Sequence, residues 1–473
     1  MTDQLDGPAP VDYALVKQIR VKVNSAIEDH ESASGTLNSE QQKLMAANLI
    51  MRELETHTFT TASAGGRRMT APDELAVRDV VMRQMFGLGA IEALLENGEI
   101  EDVYICGADP VTVKFFGGRK EVWPAIAEDD DDLLNQIKAI ATHQGMNERD
   151  ITAARPFLNM DLPGFDARLG LLFGVTPHPI VTIRRHRFVN VQLEHLVQWG
   201  TISRSMMAFL HAAVVGRRSI LIVGPQSGGK TTMLRALAQC ISSEERFATL
   251  ETEFELLLHT IPGRFPLLVP VEERVGGGEK DSTGKPAGEV NLSDVFPWTL
   301  RHSLERVLVG ECRSHEVVSL IRAMSRGYRG SMATFHADTP AETFESLASL
   351  LTEHSPQMSH EAAMRAIATA LDLIVFIDRE AVFDRDTGEP TEIRFVSDII
   401  EVGPVVRETG RPEATRLFEP ATDDAVRELD PRGYPTGAHP TDPLWARRAG
   451  LDLEWLSTEH GRWDRPFPRR GLA

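Results

Sequence analysis

Short, largely apolar runs alternate with helix-like segments in the second half of the chain. The clearest runs are Ile220–Val223, Phe247–Leu250, Val307–Val309 and Met332–Phe335. Runs of this length, bounded by turn residues, are typical of strands that are buried on both faces. Strands that alternate with helices predict a mainly parallel sheet, so we expect an α/β domain over residues 197–404.

Residues 72–196 show a different pattern, in which helix-like and strand-like segments are mixed. A helix is predicted from Pro72, with Asp73 as its capping residue. The segments EDVYIC and VTVKFF, separated by a four-residue turn, predict two strands of one sheet. We therefore expect a smaller N-terminal α+β domain here.

The two ends of the chain are less regular. Within residues 1–71 a helix is predicted around Glu40–Leu54, followed by a linker over residues 56–68 (THTFTTASAGGRR). A loop is predicted over Gly276–Gly288, where glycine and charged residues dominate. After about residue 400 the periodicity fades, so residues 405–473 are predicted to form a C-terminal tail.

That tail is polar, yet it is rich in large apolar side chains. Half of the chain's six tryptophans lie in it, together with several leucines and Phe467. Large aromatic side chains are costly to leave in water and are favoured anchors of interfaces. We therefore expect the tail to dock on the α/β domain of its own chain or on a neighbouring subunit, with free disorder as the alternative. The tryptophans are Trp445, Trp455 and Trp463.

The composition of the chain excludes several kinds of protein. The chain has 473 residues and a formal net charge of −19, which argues against a general nucleic-acid-binding surface. Its three cysteines show no C-x-x-C spacing, which suits a reducing compartment without structural disulfides or zinc. The first residues lack the features of a signal peptide, and no apolar run reaches the length of a membrane span. We expect a cytoplasmic protein.

Residues 219–232 (SILIVGPQSGGKTT) carry the strongest chemical signal. The turn matches G-x-x-x-x-G-K-T, a phosphate-binding loop between a strand and a helix. Glycines let backbone N–H groups converge on an anion, and the helix N-terminus adds partial positive charge. Lys230 is expected to reach the β- and γ-phosphates of a nucleoside triphosphate, and the Thr231 hydroxyl to bind Mg²⁺. The alternative is a turn without a ligand. The predicted binding residues are Gly224, Pro225, Gln226, Ser227, Gly228, Gly229, Lys230, Thr231 and Thr232.

Further motifs resemble a known family. They are VTIRRHRF (181–188), TLETEFEL (249–256), GEVNLSDVFPWTLR (288–301) and RVLVGECRSHEVVSLIRAMSRGYRGSMATFHADT (306–339). Over about residues 72–400 the chain resembles the secretion ATPases of type II and type IV systems, most closely the CpaF/TadA branch that powers Tad-type pilus assembly. The resemblance implies a cytoplasmic hexameric ring of RecA-like ATPase domains, each hinged to an N-terminal domain. It also implies that the ring engages integral membrane platform proteins at the inner membrane and is driven by ATP hydrolysis.

Three predicted strand ends carry candidate catalytic groups. Glu311 follows a buried strand, where ligands of α/β sheets collect and a carboxylate can polarise an attacking water. The resemblance implies that Glu311 is the catalytic base; the alternative is a surface ion pair. Glu251 and Glu255 match the family's acidic box, or they are carboxylates at a helix N-terminus. His336 matches the family's histidine box, whose histidine contacts the phosphate region or the catalytic glutamate; a structural histidine is the alternative.

Arginines supply a second set of candidates. Arg184 and Arg185 match the family's N-domain arginines that approach the phosphates, and guanidinium groups are permanently charged, bidentate donors to phosphate oxygens. An exposed basic cluster is the alternative. Arg168 is a further candidate of this kind. Arg301 and Arg313 match family positions that serve phosphates or the subunit interface.

Four segments depart from the family pattern. Ser227-Gly228 stands where the family loop has Gly-Ser, and Thr252 stands where the acidic box commonly has Asp. Residues 326–331 (RGYRGS) replace T-G-H-D-G-S, and residues 303–305 (SLE) replace R-P-D. Serine pays for a positive φ that glycine adopts freely. These changes bear on the hydrolysis rate more than on nucleotide binding.

The sequence therefore predicts a Tad/CpaF-like ATPase that uses ATP and Mg²⁺. A ring-forming scaffold that binds nucleotide and hydrolyses little of it is the second hypothesis, favoured by the departures. A RecA-like nucleic-acid translocase is the third, and the charge of −19 argues against it.

Overall fold

The computed structural model describes most of the chain, and it forms two compact units, Met1–Arg187 and Phe188–Ala473. The described residues are 13–35, 37, 39–63, 65, 69–116, 119–143, 152, 156–162, 164–185, 189–274, 276, 286, 288–299, 301–325, 327–383 and 390–468. Most of the predicted loop at Gly276–Gly288 lies outside them, as do the first twelve residues, on which the signal-peptide prediction depends.

The first unit combines helices with one sheet. Its helices are α1 (Tyr13–Ser34), α2 (Ser39–Ser63), α3 (Ala71–Phe86), α4 (Ala90–Leu95) and α5 (Asp130–His143). Its strands are β1 (Ile100–Cys106), β2 (Val111–Phe115), β3 (Lys120–Trp123), β4 (Phe157–Leu162), β5 (Ala167–Leu172) and β6 (Ile180–Arg185).

The six strands pair in the order β3-β2-β1-β6-β5-β4, and each pairing is antiparallel. Alternate side chains, such as Val103 on β1 and Val181 on β6, are fully buried because one face of the sheet forms the core. Leu133 and Ile137 of α5 pack on that face. Helices α1, α2 and α3 bury a separate apolar cluster. This unit has the predicted α+β class.

Helix α2 continues to Ser63, so the linker prediction was wrong for residues 56–63. The hydroxyl of Thr56 donates to the carbonyl of Arg52, 2.8 Å away, which satisfies the side chain inside the helix. The Thr58 hydroxyl is buried and donates to the carboxylate of Glu74 on α3 at 2.7 Å. Tertiary packing has therefore outweighed the low helix propensity of this threonine-rich segment.

The N-cap of α3 is Thr70, so the prediction of Asp73 as the cap was also wrong. Asp73 occupies the third helical position instead. Its backbone N–H donates to the Thr70 hydroxyl, and its carboxylate accepts from the backbone N–H of Thr70 at 3.1 Å. The two residues form a reciprocal capping box, in which Asp73 is the second member.

The second unit alternates helices with strands. Its helices are α6 (Leu193–Trp199), α7 (Arg204–Val215), α8 (Lys230–Ala238), α9 (Leu292–Thr299), α10 (Glu316–Ser325), α11 (Thr343–His354), α12 (His360–Ala370), α13 (Asp424–Leu429) and α14 (Pro443–Arg448). Its strands are β7 (Ile220–Gly224), β8 (Phe247–Glu251), β9 (Val269–Glu272), β10 (Arg306–Cys312), β11 (Met332–His336), β12 (Leu373–Phe383), β13 (Pro390–Val405), β14 (Pro412–Glu419) and β15 (Tyr434–Pro435).

These strands form one mixed sheet in the order β15-β14-β13-β12-β7-β11-β10-β8-β9. The pairings from β12 to β9 are parallel, and those from β12 to β15 are antiparallel. Ile220 and Ile222 of β7 pack into one core, while Leu221 and Val223 pack into the other. Because both faces are covered, β7 is continuously apolar, and the predicted α/β class is confirmed.

The C-terminal tail packs on this unit, as its tryptophans predicted. Trp445 is buried, with its ring centroid 5.9 Å from that of Phe209 on α7. Trp455 and Trp463 pack against the same core. Strand β14 extends the sheet but was not predicted, because its two fully buried apolar residues are adjacent and give no alternating pattern.

Candidate functional site

The carboxyl edge of the parallel strands brings four predicted elements together. Strand β7 ends at Gly224, β11 at His336 and β8 at Glu251, while Glu311 lies near the end of β10. The order β7-β11-β10-β8 makes these strands direct neighbours. Ligands of open α/β sheets bind beyond this edge, so the residues form one candidate site.

The turn between β7 and α8 adopts a conformation that glycine permits. Gly224 has φ +155° and Gly229 has φ +94°, while Ser227 also has a positive φ of +60°. Gly229 is the N-cap of α8, and within the described structure no side chain caps this end. The first-turn N–H groups of α8 therefore provide a suitable cradle for an anion.

Lys230 lies across this turn. It is 8% exposed, and its Nζ donates to the carbonyl oxygens of Gly224 at 2.9 Å and Pro225 at 2.7 Å. Burial lowers the pKa of Lys230, while the charge of Glu311 acts in the opposite direction. The ammonium group is therefore held at the centre of the candidate phosphate site.

His336 lies beside the start of the turn. Its Nδ1 is 3.1 Å from the carbonyl oxygen of Gly224, to which it donates in the tautomer that carries the proton on Nδ1. The two residues are also paired in the β7–β11 register. About half of the His336 side chain is exposed, and its Nε2 lies 4.0 Å from a carboxylate oxygen of Asp338.

Glu311 forms an ion pair with Arg313. The carboxylate lies 2.5 Å from the guanidinium, and the Glu311 side chain is 25% exposed. The hydrogen bond to Glu311 raises the pKa of Arg313. A register shift between Val309 and Cys312 interrupts the pairing with β11 around Glu311. The ion pair expected under the alternative interpretation is therefore present, although Glu311 also occupies the sheet edge required of a catalytic base.

Glu251 is almost completely buried. One carboxylate oxygen accepts from the backbone N–H groups of Glu255 at 2.8 Å and Leu256 at 2.7 Å. Among the described residues, the other oxygen has no hydrogen-bond partner. A Cβ at Gly310 would lie 3.1 Å from Cγ of Glu251, so glycine leaves room for this side chain. Glu251 thus organises the segment that follows β8, and no helix begins directly after it.

Burial raises the pKa of Glu251 to about 7 from an ordinary value of 4.5. A carboxyl whose pKa is raised by folding stabilises the protein in full below about pH 4.5, and this contribution is lost as the pH rises through about 7. Relative to the wild type, Glu251→Gln should therefore gain up to about 3 kcal/mol in unfolding free energy between these limits. Denaturant unfolding at pH 5 and pH 8 measures the change. Glu255→Gln on the same segment is the control, and an equal gain in both variants would contradict the assignment.

The predicted arginines of the first unit differ in their surroundings. Arg184 is exposed on β6 and pairs in register with Arg168 on β5 and with Asp102 on β1. Arg185 is half-buried, and its guanidinium donates to the carbonyl oxygens of Leu95 and Asn97. Burial also lowers the pKa of Arg185. Successive strand residues face opposite sides of a sheet, so these two arginines cannot serve the same face.

One residue at the site was missed by sequence reasoning. Arg394, on β13, donates from Nε to the carbonyl oxygen of Ser227 at 2.9 Å. The two residues are 167 positions apart in the chain. Their contact depends on how β12 and β13 pair, and no local motif in the sequence signals it. Arg301, by contrast, lies over the ring of its near neighbour Trp298, 4.6 Å from the centroid.

Neither a membrane-spanning helix nor a metal-binding cluster is found among the described residues. None of the described helices is long and apolar enough to cross a membrane. No group of three or more His, Cys, Asp or Glu side chains in the described part of the chain is arranged to hold a metal ion.

Comparison with known proteins identifies the family. The model of the type II/IV secretion system protein family matches residues 119–384, and the chain belongs to this family. The matched region includes the phosphate loop, Glu311 and His336.

Among curated proteins, the chain is 27% identical over 337 residues to the type IV secretion system protein VirB11 of Brucella suis biovar 1 (strain 1330). That match covers 65% of this chain and 88% of the relative. The crystal structure of the Brucella suis VirB11 ATPase with sulphate matches at 23% identity and a TM-score of 0.33, covering 66% of this chain and 92% of that one. The X-ray structure of the Legionella pneumophila ATPase DotB matches at 16% identity and a TM-score of 0.45. That match covers 78% of this chain and 92% of DotB.

Proposed function

We propose that this protein is the ATP-hydrolysing motor of a Tad-type pilus assembly system or a related type II/IV secretion system. It acts as a cytoplasmic homo-oligomeric ring, expected to be a hexamer, at the inner face of the cell membrane. Its partners are integral inner-membrane platform proteins, and no nucleic-acid partner is expected. Family membership supports the secretion role, while the motifs quoted above support the CpaF/TadA branch.

The observation that carries the proposal is the meeting of Lys230, Glu311 and His336 at one sheet edge. A buried ammonium stands in a glycine-rich anion cradle, with a carboxylate two strands away in the sheet. This combination suits phosphoryl transfer, which depends on positioning and on charge stabilisation around the γ-phosphate. The substrate phosphates would replace the carbonyl groups as partners of Lys230.

In the proposed reaction, water attacks the γ-phosphorus and the bond to the β,γ-bridging oxygen breaks. ADP and phosphate leave as products. Glu311 accepts a hydrogen bond from the attacking water and takes its proton. Because Arg313 now holds that carboxylate, the ion pair has to open or rotate before Glu311 can act as a base.

The residues present also fit Mg²⁺. Thr231 lies in the first turn of α8, directly after Lys230, where its hydroxyl can join phosphate oxygens and water as a hard oxygen ligand. The ion would supply charge stabilisation to the β- and γ-phosphate oxygens. On the basis of the family resemblance, Arg184 is proposed to neutralise charge that develops in the transition state. The resemblance implies the same role for Arg185, whose guanidinium would first have to release the carbonyl oxygens of Leu95 and Asn97.

A nucleotide-binding scaffold with little hydrolysis is the second candidate, and the Glu311–Arg313 ion pair favours it. Steady-state phosphate release by the purified full-length chain separates the two. The motor should release phosphate from ATP when Mg²⁺ is present and stop when EDTA is added. The scaffold should bind ATP but release no phosphate, whether or not Mg²⁺ is present. A chain that neither binds nor hydrolyses ATP contradicts both.

A further inference from the structure

The hairpin formed by β12 and β13 continues beyond the edge of the sheet. Residues 373–376 of β12 pair with β7 on one side and with β13 on the other, whereas residues 377–383 keep only the pairing with β13. We call this projecting part, residues 377–383 and 390–396, the β12–β13 arm. A Cβ built on Gly224 would lie 2.0 Å from the carbonyl oxygen of Ile377. The arm therefore packs directly against the phosphate loop.

Arg394 of the arm contacts the loop at two points. Its Nε donates to the Ser227 carbonyl at 2.9 Å, and its Cδ lies 3.2 Å from the Cβ position of Gly229. Its Nη2 donates to the carboxylate of Glu392 at 2.6 Å, which fixes the guanidinium from the other side. Arg379, paired in register with Arg394, binds the second oxygen of the same Glu392 at 2.9 Å.

The carbonyl group that Arg394 binds belongs to Ser227, whose backbone conformation is unfavourable. Within residues 224–230, all of which the structure describes, Ser227 is the one non-glycine with positive φ, at +60°. A side chain makes this region costly, so such residues persist where their surroundings hold them. The charge-assisted hydrogen bond from Arg394 reaches the middle of the turn and is one of the contacts that hold Ser227 in this conformation.

We propose that Arg394 is a positioning residue of the phosphate loop. By holding the Ser227 carbonyl, it keeps the turn in the conformation in which the loop N–H groups converge on the phosphates of a nucleoside triphosphate. This inference rests on the proposed nucleotide-binding function. Arg394 lies beyond the region matched by the family model, which ends at residue 384. A loop ordered in advance lowers the ordering cost of binding, so Arg394 acts on nucleotide affinity rather than on the chemical step.

Arg394→Ala should weaken nucleotide binding roughly tenfold, the scale of a hydrogen bond to a charged group. Titration of the full-length chain with a fluorescent ATP analogue measures the Kd, and saturating ATP should leave kcat within about twofold of wild type. Arg379→Ala is the matched control, since it removes the same charge from the facing strand and its side chain is similarly exposed, 41% against 40%. It should change Kd by less than about threefold.

The conformational role is tested with Ser227→Gly. Glycine adopts positive φ without strain, so in this background Arg394→Ala should weaken binding by less than about threefold. An undiminished loss of binding in the Ser227→Gly background would overturn the inference, as would equal losses in the two arginine variants or wild-type affinity in Arg394→Ala. In each of those cases the wild type still binds ATP and the proposed function stands. Absence of binding by the wild type would overturn both.

Discussion

Glu311→Gln should bind ATP with close to wild-type affinity and hydrolyse it about 10²–10⁴-fold more slowly, the contribution of a general base. Glutamine keeps the size and hydrogen-bonding capacity of the side chain at the end of β10 but cannot accept a proton. Lys230→Ala should instead lose ATP binding itself, because it removes the buried ammonium that is proposed to bind the ground-state phosphates. Kd from titration and kcat from phosphate release together separate the two roles.

The control for this experiment is Glu251→Gln, since Glu251 is another carboxylate at the same sheet edge. Burial raises its pKa to about 7, which is also suitable for a general base near neutral pH. If Glu311→Gln turns over normally while Glu251→Gln does not, the base is Glu251. If neither variant loses activity, the proposed chemistry at this edge is wrong.

The positions of the site elements in the sheet could be predicted because each depends on local sequence. A continuous apolar run such as Ile220–Val223 specifies a strand buried on both faces, and glycines mark the turn that follows it. Parallel strands place their carboxyl ends at one edge, so Glu311 was expected near the phosphate loop, and the family resemblance implied the same for His336. The structure shows this arrangement, with β11 between β7 and β10.

The details that were missed depend on contacts between distant residues. Strand β14 follows from pairing with β13 rather than from its own pattern. The contact of Arg394 with Ser227 is of the same kind, because it depends on a hairpin whose register the sequence does not specify locally.

Arg184→Ala should lower kcat by up to ~10³–10⁵-fold while nucleotide affinity changes little, if Arg184 acts as an arginine finger. Its side chain is exposed, and it stands in register between Arg168 on β5 and Asp102 on β1. Thr182→Ala, two residues earlier on the same exposed face of β6, is the matched control and should retain activity. Phosphate release at saturating ATP gives kcat, and titration gives Kd.

Arg185→Ala distinguishes a catalytic role of the arginines of β6 from a structural one. Because its guanidinium donates to the carbonyl oxygens of Leu95 and Asn97, its loss should lower the melting temperature of the first unit as well as any activity. Arg184→Ala should leave the melting temperature near that of the wild type, since its side chain is exposed. A fragment that begins near Val197 lacks both arginines. If it hydrolyses ATP as fast as the full chain, neither arginine takes part in catalysis, and the first unit has another task in the motor.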